Sequence, residues 1–251
     1  MGVKSRRRWS HAVIHIFMFL SGLEYAIVFP TLWEYLQRLG VATSQTWWLG
    51  LTISAITVTD ILSGLIVGRI VDLKKSVRSI VLTVNLFQMA GALIYLLAGS
   101  AWLLLVSRLV SGCGRSAAVA FLAEICRSTQ TEERTPVLLL FNIATQVGLL
   151  LGPSANLFLQ SVVFDVGPVH VDKLNSPGLL MAGLWTGFSV LVALAYTDLS
   201  QLVSEEVLTD QLAQGGYHRV SETLEHLNTD QNEEEDDEDL GEIYYDEVGF
   251  H

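Results

Sequence analysis

Apolar residues in this chain are grouped into six long stretches separated by short polar segments. An α-helix needs about twenty residues to cross the hydrocarbon core of a bilayer, and each stretch reaches about that length. The third stretch, Ser79 to Gly99, contains no charged residue, whereas a soluble amphipathic helix keeps a polar face. The pattern therefore predicts six membrane spans, at about 12–36, 46–67, 79–99, 102–124, 135–160 and 177–197.

These spans are predicted to be helical, because backbone groups in lipid must be satisfied within their own segment and no stretch alternates like a barrel strand. The fold class is an all-α polytopic membrane protein. Basic residues indicate its orientation: ten lie on the side of the N-terminus, at Lys4, Arg6, Arg7, Arg8, Arg69, Lys74, Lys75, Arg78, Arg127 and Arg134. The opposite side has only Arg38 and Lys173. The excess predicts that both termini face the cytoplasm.

Charge separates the membrane part from the C-terminal segment. The net charge is −11, and 17 of the 26 acidic residues lie from Asp198 onward, where Arg219 is the single basic residue. Low hydrophobicity and repelling like charges predict that this tail is disordered. We therefore divide the chain into a basic cytoplasmic N-terminus at 1–11, a six-helix domain at 12–197 and an acidic cytoplasmic tail at 198–251.

Four ionisable side chains fall inside predicted spans: Glu24, Asp60, Arg108 and Arg115. Charges at membrane depth are costly, so such groups pair with one another, face a wet cavity or become neutral. They are candidates for transport or proton coupling, although a static ion pair between helices would explain them equally well. We expect Arg108 and Arg115 to point in largely opposite directions, so that both cannot line one pathway.

Small residues recur at intervals that permit close helix packing in lipid. The fourth span contains Arg108-x3-Gly112-x-Gly114, and the fifth contains Gly148-x3-Gly152-Pro153. Between the second and third spans stands Gly68-x3-Asp72-x-Lys74-Lys75-x2-Arg78. Taken in order, these segments resemble the three signature motifs of the major facilitator superfamily. The loop departs from the usual pattern, since Leu73 and Lys75 stand where a basic residue and a glycine are common.

Two further segments narrow the resemblance. Glu133-Arg134-Thr135 and Val171-x-Lys173-x2-Ser176-Pro177 are similar to the group of major facilitator superfamily domain-containing protein 8 and its relatives. That resemblance implies a lysosomal or endosomal membrane protein connected with ion transport. The resemblance to the superfamily implies that the loop residues Gly68, Lys74 and Lys75 belong to a gate motif with the charged residues Asp72, Arg78, Glu124, Arg127 and Arg134. In the superfamily such a charge cluster bridges the two halves, whereas in this chain we expect solvated surface charge.

The resemblance implies half of a twelve-helix fold, since carriers of this superfamily bind substrate between two six-helix halves. We expect this chain to be a truncated or incomplete N-terminal half of a carrier for a small solute or ion. Its partners would be membrane lipid and a second six-helix half or full-length relative. The alternatives are a non-transporting interaction or regulatory half-protein and a component of an anion channel.

Enzymatic chemistry is not indicated. The sequence has no G-x-S-x-G, H-E-x-x-H or glycine-rich phosphate loop, so we predict no enzyme activity, no cofactor, no metal site and no nucleic-acid partner. Cys113 and Cys126 read as small apolar residues. In the tail, Gly216-Tyr217-His218-Arg219-Val220 fits a lysosomal sorting pattern through Tyr217 and Val220, and Tyr245-x2-Val248 fits its shorter form. Such four-residue patterns also arise by chance.

Overall fold

The computed structural model of the chain describes residues 3–74, 76–129, 131–161, 163–166, 169–205 and 207–208. Its helices are α1 Val3–Arg38, α2 Trp47–Leu73, α3 Val77–Leu96, α4 Ala101–Arg115, α5 Ala117–Ser128, α6 Thr131–Leu159 and α7 Ser176–Ala195. A short antiparallel hairpin, β1 Phe164–Val166 and β2 Val169–Val171, lies between α6 and α7. Its register pairs Phe164 with Val171 and Val166 with Val169.

The prediction of six spanning helices is confirmed. Within the described residues, six helices are long and apolar enough to cross a membrane. The fourth combines α4 and α5, because the helix is interrupted only at Ser116. The hairpin was not predicted, since its strands have three residues each and carry too little alternation to be recognised.

Residues 1–202 form one compact unit. Of residues 203–251, which fall outside this unit, only 203–205 and 207–208 are described. Within the compact unit, α1 is central and packs mainly on α6 and α7. The helix α3 packs on α4 and α7, and α4 also packs on α2. We call the end of the bundle where α1 begins the N-terminal end, and the end where α1 terminates the far end.

Glycine permits close contact between the backbones of α1 and α6. A Cβ at Gly22 would lie 2.2 Å from the carbonyl oxygen of Thr145, and one at Gly148 would lie 2.1 Å from that of Phe19. Any side chain at either position would push the two backbones apart. Since lipid offers no hydrophobic gain for helix association, such close backbone packing is a main source of stability in membranes.

The outer surface of the bundle is apolar. Leu65 on α2, Leu150 on α6 and Leu194 on α7 have 71%, 76% and 83% of their surface exposed. A soluble monomer rarely exposes so large an apolar surface. Lipid or further transmembrane helices are the environment that suits these faces.

Ion pairs close the far end of the bundle. The Arg38 side chain at the end of α1 donates to the carboxylate of Asp172, and Lys173 lies 2.5 Å from Glu34. Asp172 also accepts the backbone N–H of Leu174 at 3.0 Å, which shapes the turn before α7. Both basic residues expected on this side of the membrane are therefore paired with acids across the bundle.

Candidate functional site

Glu24 is the centre of a polar cluster inside the bundle. It lies mid-way along α1 and only 1% of its surface is exposed. Its Oε2 atom accepts hydrogen bonds from the Gln88 side-chain amide on α3 and from the Trp185 indole on α7, the latter at 3.0 Å. The carboxylate is thus held where three helices meet.

Arg108 approaches the other oxygen of this carboxylate from α4. One terminal nitrogen of its guanidinium lies 3.8 Å from Glu24 Oε1, and its Nε donates to Ser107 Oγ at 3.5 Å. Both distances exceed those of a strong charge-assisted hydrogen bond. The guanidinium also lies 4.6 Å from the centre of the Tyr95 ring, a favourable cation–π arrangement. Arg108 is therefore close to Glu24 without being tightly bound to it.

A small cavity of about 20 Å³ adjoins Arg108, room for about one water-sized group. Among the described residues that line it, Arg108 alone is charged. The others come from α1 and α2: Tyr25, Val28, Phe29, Leu32, Thr52, Ile53 and Ile56. A buried cation thus faces an apolar cavity.

Asp60 and Arg115 form a second pair, about two helical turns along the fourth span from the first. Arg115 Nε lies 3.5 Å from Asp60 Oδ2 on α2, and its Nη1 donates to the Ser21 carbonyl on α1 at 3.3 Å. The expectation that Arg108 and Arg115 point in opposite directions is wrong. Seven residues at 100° each fall about 20° short of two full turns, so both side chains leave nearly the same face of the helix.

The glycines of the fourth-span motif allow α4 to pack closely on α2 and α3. A Cβ at Gly112 would lie 1.9 Å from Thr59 Oγ1 on α2, and one at Gly114 would lie 2.6 Å from the Gln88 backbone nitrogen on α3. The fifth-span motif acts similarly, because a Cβ at Gly152 would lie 2.2 Å from the Cβ of Ala26 on α1. Pro153 follows it within α6. These glycines are packing positions.

At the N-terminal end, the loop motif is contacted by a side chain from α5. Arg127 on α5 lies 2.7 Å from Asp72 and donates to the Val71 carbonyl at 3.1 Å. Arg134 donates to the Cys126 carbonyl at 2.9 Å.

A Cβ at Gly68 would make an ordinary 3.6 Å contact, so packing does not require glycine there. Lys74 follows the end of α2, and Lys75 lies outside the described residues.

The expectation that this end carries only solvated charge is wrong for Glu124, which is fully buried. Its Oε1 accepts the Ser200 backbone N–H at 2.7 Å. Asp198, 4% exposed, accepts the Arg78 backbone N–H at 2.8 Å, while the Arg78 guanidinium donates to the Ala193 carbonyl. Each of these two carboxylates accepts a hydrogen bond from a backbone N–H group. Because an unsatisfied buried donor is costly, an acceptor is needed at each position.

Sequence reasoning did not identify Trp185 or Tyr95 as site residues. Trp185 offers a signal, since it lies inside a span, whereas interfacial Trp residues anchor span ends. Tyr217 and Val220 of the sorting pattern lie outside the described residues, as does Tyr245-x2-Val248.

Six spans that enclose opposite charges between helices define a polytopic membrane protein with ionisable groups at membrane depth. Residues 14–199 match the family model of the Major Facilitator Superfamily, and the chain belongs to this family. It is similar to major facilitator superfamily domain-containing protein 8 of Xenopus laevis, with 22% identity over 223 residues. The match covers 81% of this chain and 43% of that relative, so the chain spans less than half of its length.

Proposed function

We propose that these six helices form one half of a secondary carrier for a small solute or ion, with Glu24, Arg108, Asp60 and Arg115 along its pathway. A second set of six helices would supply the other half, because carriers built from repeats bind substrate at the interface between them. The family match supports this proposal, and it favours transport over enzymatic chemistry. Membrane lipid would cover the remaining apolar faces.

The observation that carries the proposal is the loose pairing of Glu24 with Arg108. Two buried opposite charges that served only to lock helices would gain most from short, bidentate contact. Here the nearest charged atoms are 3.8 Å apart, and Arg108 also faces a cavity. Such a pair can exchange partners during a transport cycle, whereas a structural pair has no need of a neighbouring cavity.

The test requires a full-length carrier that contains this half, reconstituted in liposomes and assayed for saturable, proton-gradient-dependent uptake of labelled solutes and ions. We expect Arg108→Ala and Glu24→Gln to abolish uptake. Arg38→Ala, a matched loss of charge at the exposed far end, should retain it. Full uptake by folded Arg108→Ala would refute the proposal. Six helices alone do not enclose a pathway, so we expect no saturable uptake from this chain by itself.

An anion channel component is a second candidate, because Arg108 and Arg115 leave the same face of one span. Ohmic, non-saturating current carried by anions would favour the channel, and saturation together with dependence on a proton gradient would favour the carrier. A half-protein that only binds partners would give neither, and its acidic tail would then be its main interaction segment.

We further propose that both termini are cytosolic and that the protein resides in lysosomal or endosomal membranes. The excess of basic residues on one side supports the orientation, and the Tyr217 pattern supports the location. Tyr217→Ala should shift the protein from lysosomes to the cell surface in fluorescence microscopy, whereas His218→Ala, within the same pattern, should not. An unchanged distribution of Tyr217→Ala would show that this pattern does not act as a sorting signal.

A further inference from the structure

We propose that a groove between α6 and α7 binds a sterol, with the sterol hydroxyl at Ser176 and its rings against Gly183. The groove lies at the far end of the bundle, where α6 ends and α7 begins. Neither Glu24 nor Arg108 is among the described residues that line it. The site is therefore separate from the charged pair, and its occupation does not depend on the carrier function.

The groove is large enough for a small molecule. Because α6 packs mainly on α1 and α7 mainly on α3, the two helices have little contact with each other. The cavity between them has a volume of about 470 Å³, within the range of about 300–1,000 Å³ that is usual for ligand sites. The described residues that line it are Leu159 on α6 and, on α7, Ser176, Leu179, Leu180, Gly183 and Leu184. All but Ser176 are apolar, so the groove suits an apolar ligand.

Ser176 supplies a polar group at one end of this apolar groove. It is the first residue of α7, only 2% of its surface is exposed, and its hydroxyl has no hydrogen-bond partner among the described residues. An unpaired buried hydroxyl costs free energy, so a ligand hydroxyl that pairs with it is favoured. A hydroxyl both donates and accepts, so either partner can be the donor. At the start of a span, this contact lies where the polar end of a lipid is found.

The polar end of the ligand is expected to be neutral. Two charged residues shortly precede Ser176, and both are engaged: Asp172 with Arg38, and Lys173 with Glu34. The described residues of the lining carry no charge. A charged headgroup buried here would lack a partner of opposite charge, which is costly, whereas a single hydroxyl needs only Ser176.

Gly183 and Gly187 leave the outer face of α7 without side chains at two successive turns. Both are exposed, and a Cβ at either position would have no atom within 4 Å. By contrast, a Cβ at Gly112 or Gly148 would clash with a neighbouring helix. Alanine favours a helix more than glycine does, so packing among the described residues does not account for Gly183 and Gly187. Small residues in membrane helices let another body approach the backbone closely.

A rigid, flat ligand suits this face better than a flexible chain. The rise from Ser176 to Gly183 is about 10 Å, so a ligand that touches both has its polar end and its body at different depths. Fused sterol rings are nearly planar and can lie along the glycine face. They lose little conformational freedom on binding, whereas an acyl chain must be ordered. A neutral hydroxyl joined to a rigid apolar body is the chemistry of a sterol.

The experiment uses the purified chain in lipid nanodiscs with a photoactivatable cholesterol analogue whose 3β-hydroxyl is free, and locates the labelled residues by mass spectrometry. We expect labelling at 179–184 and near Leu159, reduced by excess cholesterol. Epicholesterol, the epimer at this hydroxyl, should compete less, because its hydroxyl cannot reach Ser176 while the rings lie on Gly183. A photoactivatable phosphatidylcholine should label the outer faces without preference for the groove.

Two variants test the two halves of the site. Ser176→Ala should weaken competition by cholesterol about three- to tenfold, as loss of one hydrogen bond does. Thr186→Val, which removes a hydroxyl elsewhere on α7, should leave it unchanged. Gly183→Leu should abolish labelling of the groove by filling it.

Gly50→Leu is the matched control for Gly183→Leu, since Gly50 is an exposed glycine on α2 where a Cβ also has no atom within 4 Å. Thermal melting shows whether each variant is folded. Should Gly183→Leu fail to fold, Ser176→Ala still tests the site.

Labelling that is spread over the outer faces, or that excess cholesterol does not reduce, would overturn the proposal. So would equal competition by epicholesterol, unchanged competition in Ser176→Ala or retained labelling in folded Gly183→Leu. Equal labelling of the groove by phosphatidylcholine would identify an acyl chain as the occupant instead. After replacement of Cys113 and Cys126, a disulfide-linked dimer of Gly187→Cys that cholesterol does not prevent would show that this face binds a second copy of the chain.

Discussion

Glu24 and Arg108 place opposite charges 3.8 Å apart in the interior of the bundle, with 1% and 5% of their side-chain surfaces exposed. The carboxylate is held by two neutral donors on α3 and α7, and the guanidinium is supported by an aromatic ring. Each charge is thus stabilised by groups other than its partner.

The first prediction concerns the energetic coupling of this pair. Removing one partner of a fully buried pair costs about 3–5 kcal/mol, because the remaining charge is left uncompensated. Since the neutral contacts here support each charge, we expect Arg108→Ala and Glu24→Gln to fall at or below the lower limit of that range. Unfolding free energies of both variants and the double mutant, measured in detergent as a cycle, should give a coupling of about 1 kcal/mol. A coupling above about 3 kcal/mol would indicate a structural lock.

The second prediction concerns the contact between α1 and α6. Gly148→Ala places a Cβ 2.1 Å from the Phe19 carbonyl oxygen, so the helices must move apart. Overpacking of this kind costs about 1–3 kcal/mol. Gly187→Ala on α7 is the matched control, since a Cβ there has no atom within 4 Å and alanine favours the helix. Thermal melting in detergent should fall for Gly148→Ala only. Equal melting temperatures would contradict the close contact.

The third prediction concerns the start of α3. Ser76, at the N-cap position, makes no capping hydrogen bond with its side chain, and Asp198 accepts the Arg78 N–H instead. Asp198→Ala should therefore cost about 1 kcal/mol, as loss of an N-cap does. Hydrogen exchange at the Arg78 amide should accelerate, while Asp198→Asn, which keeps an acceptor, should stay close to the original protein. Unchanged exchange in Asp198→Ala would show that this contact is not maintained.

The fourth prediction concerns the far-end pair of Lys173 and Glu34. Both side chains are about half exposed, at 47% and 53%, so solvent screens their attraction. We expect Lys173→Ala to lower stability by less than about 1 kcal/mol, and less still in high salt. Denaturant unfolding at low and high ionic strength measures this difference. A large, salt-independent loss would mean that the lysine acts through packing.

The fifth prediction concerns orientation. After replacement of Cys113 and Cys126, a cysteine at exposed Thr43 reports the far end, and one at Ser76 reports the N-terminal end. With both termini cytosolic, a membrane-impermeant thiol reagent should label Thr43→Cys from the lumenal or extracellular side. It should label Ser76→Cys only after permeabilisation. The reverse pattern would invert the topology.

Much of the fold could be predicted from the sequence, because each span is a local property. The stretch Ser79 to Gly99 crosses a bilayer by its own length and lack of charge, whatever its neighbours are. Gly148 and Gly152 were recognisable for a similar reason, since a spacing of four places small residues on one face of a helix. The hairpin and the break at Ser116 depend on a few residues each, and no periodic pattern marks them.

Within the candidate site, the sequence determined which groups are charged and roughly how deep they lie, because depth follows from position along a span. Only the tertiary structure decided which groups meet. Trp185 donates to Glu24 across 161 residues of sequence. Asp198, which composition assigned to the acidic tail, instead caps the start of α3. Partners of this kind depend on the rotation of each helix and on which helices are neighbours. Both are settled by close contact between spans at residues such as Gly112 and Gly148. The sequence of one span does not specify which other span it will contact.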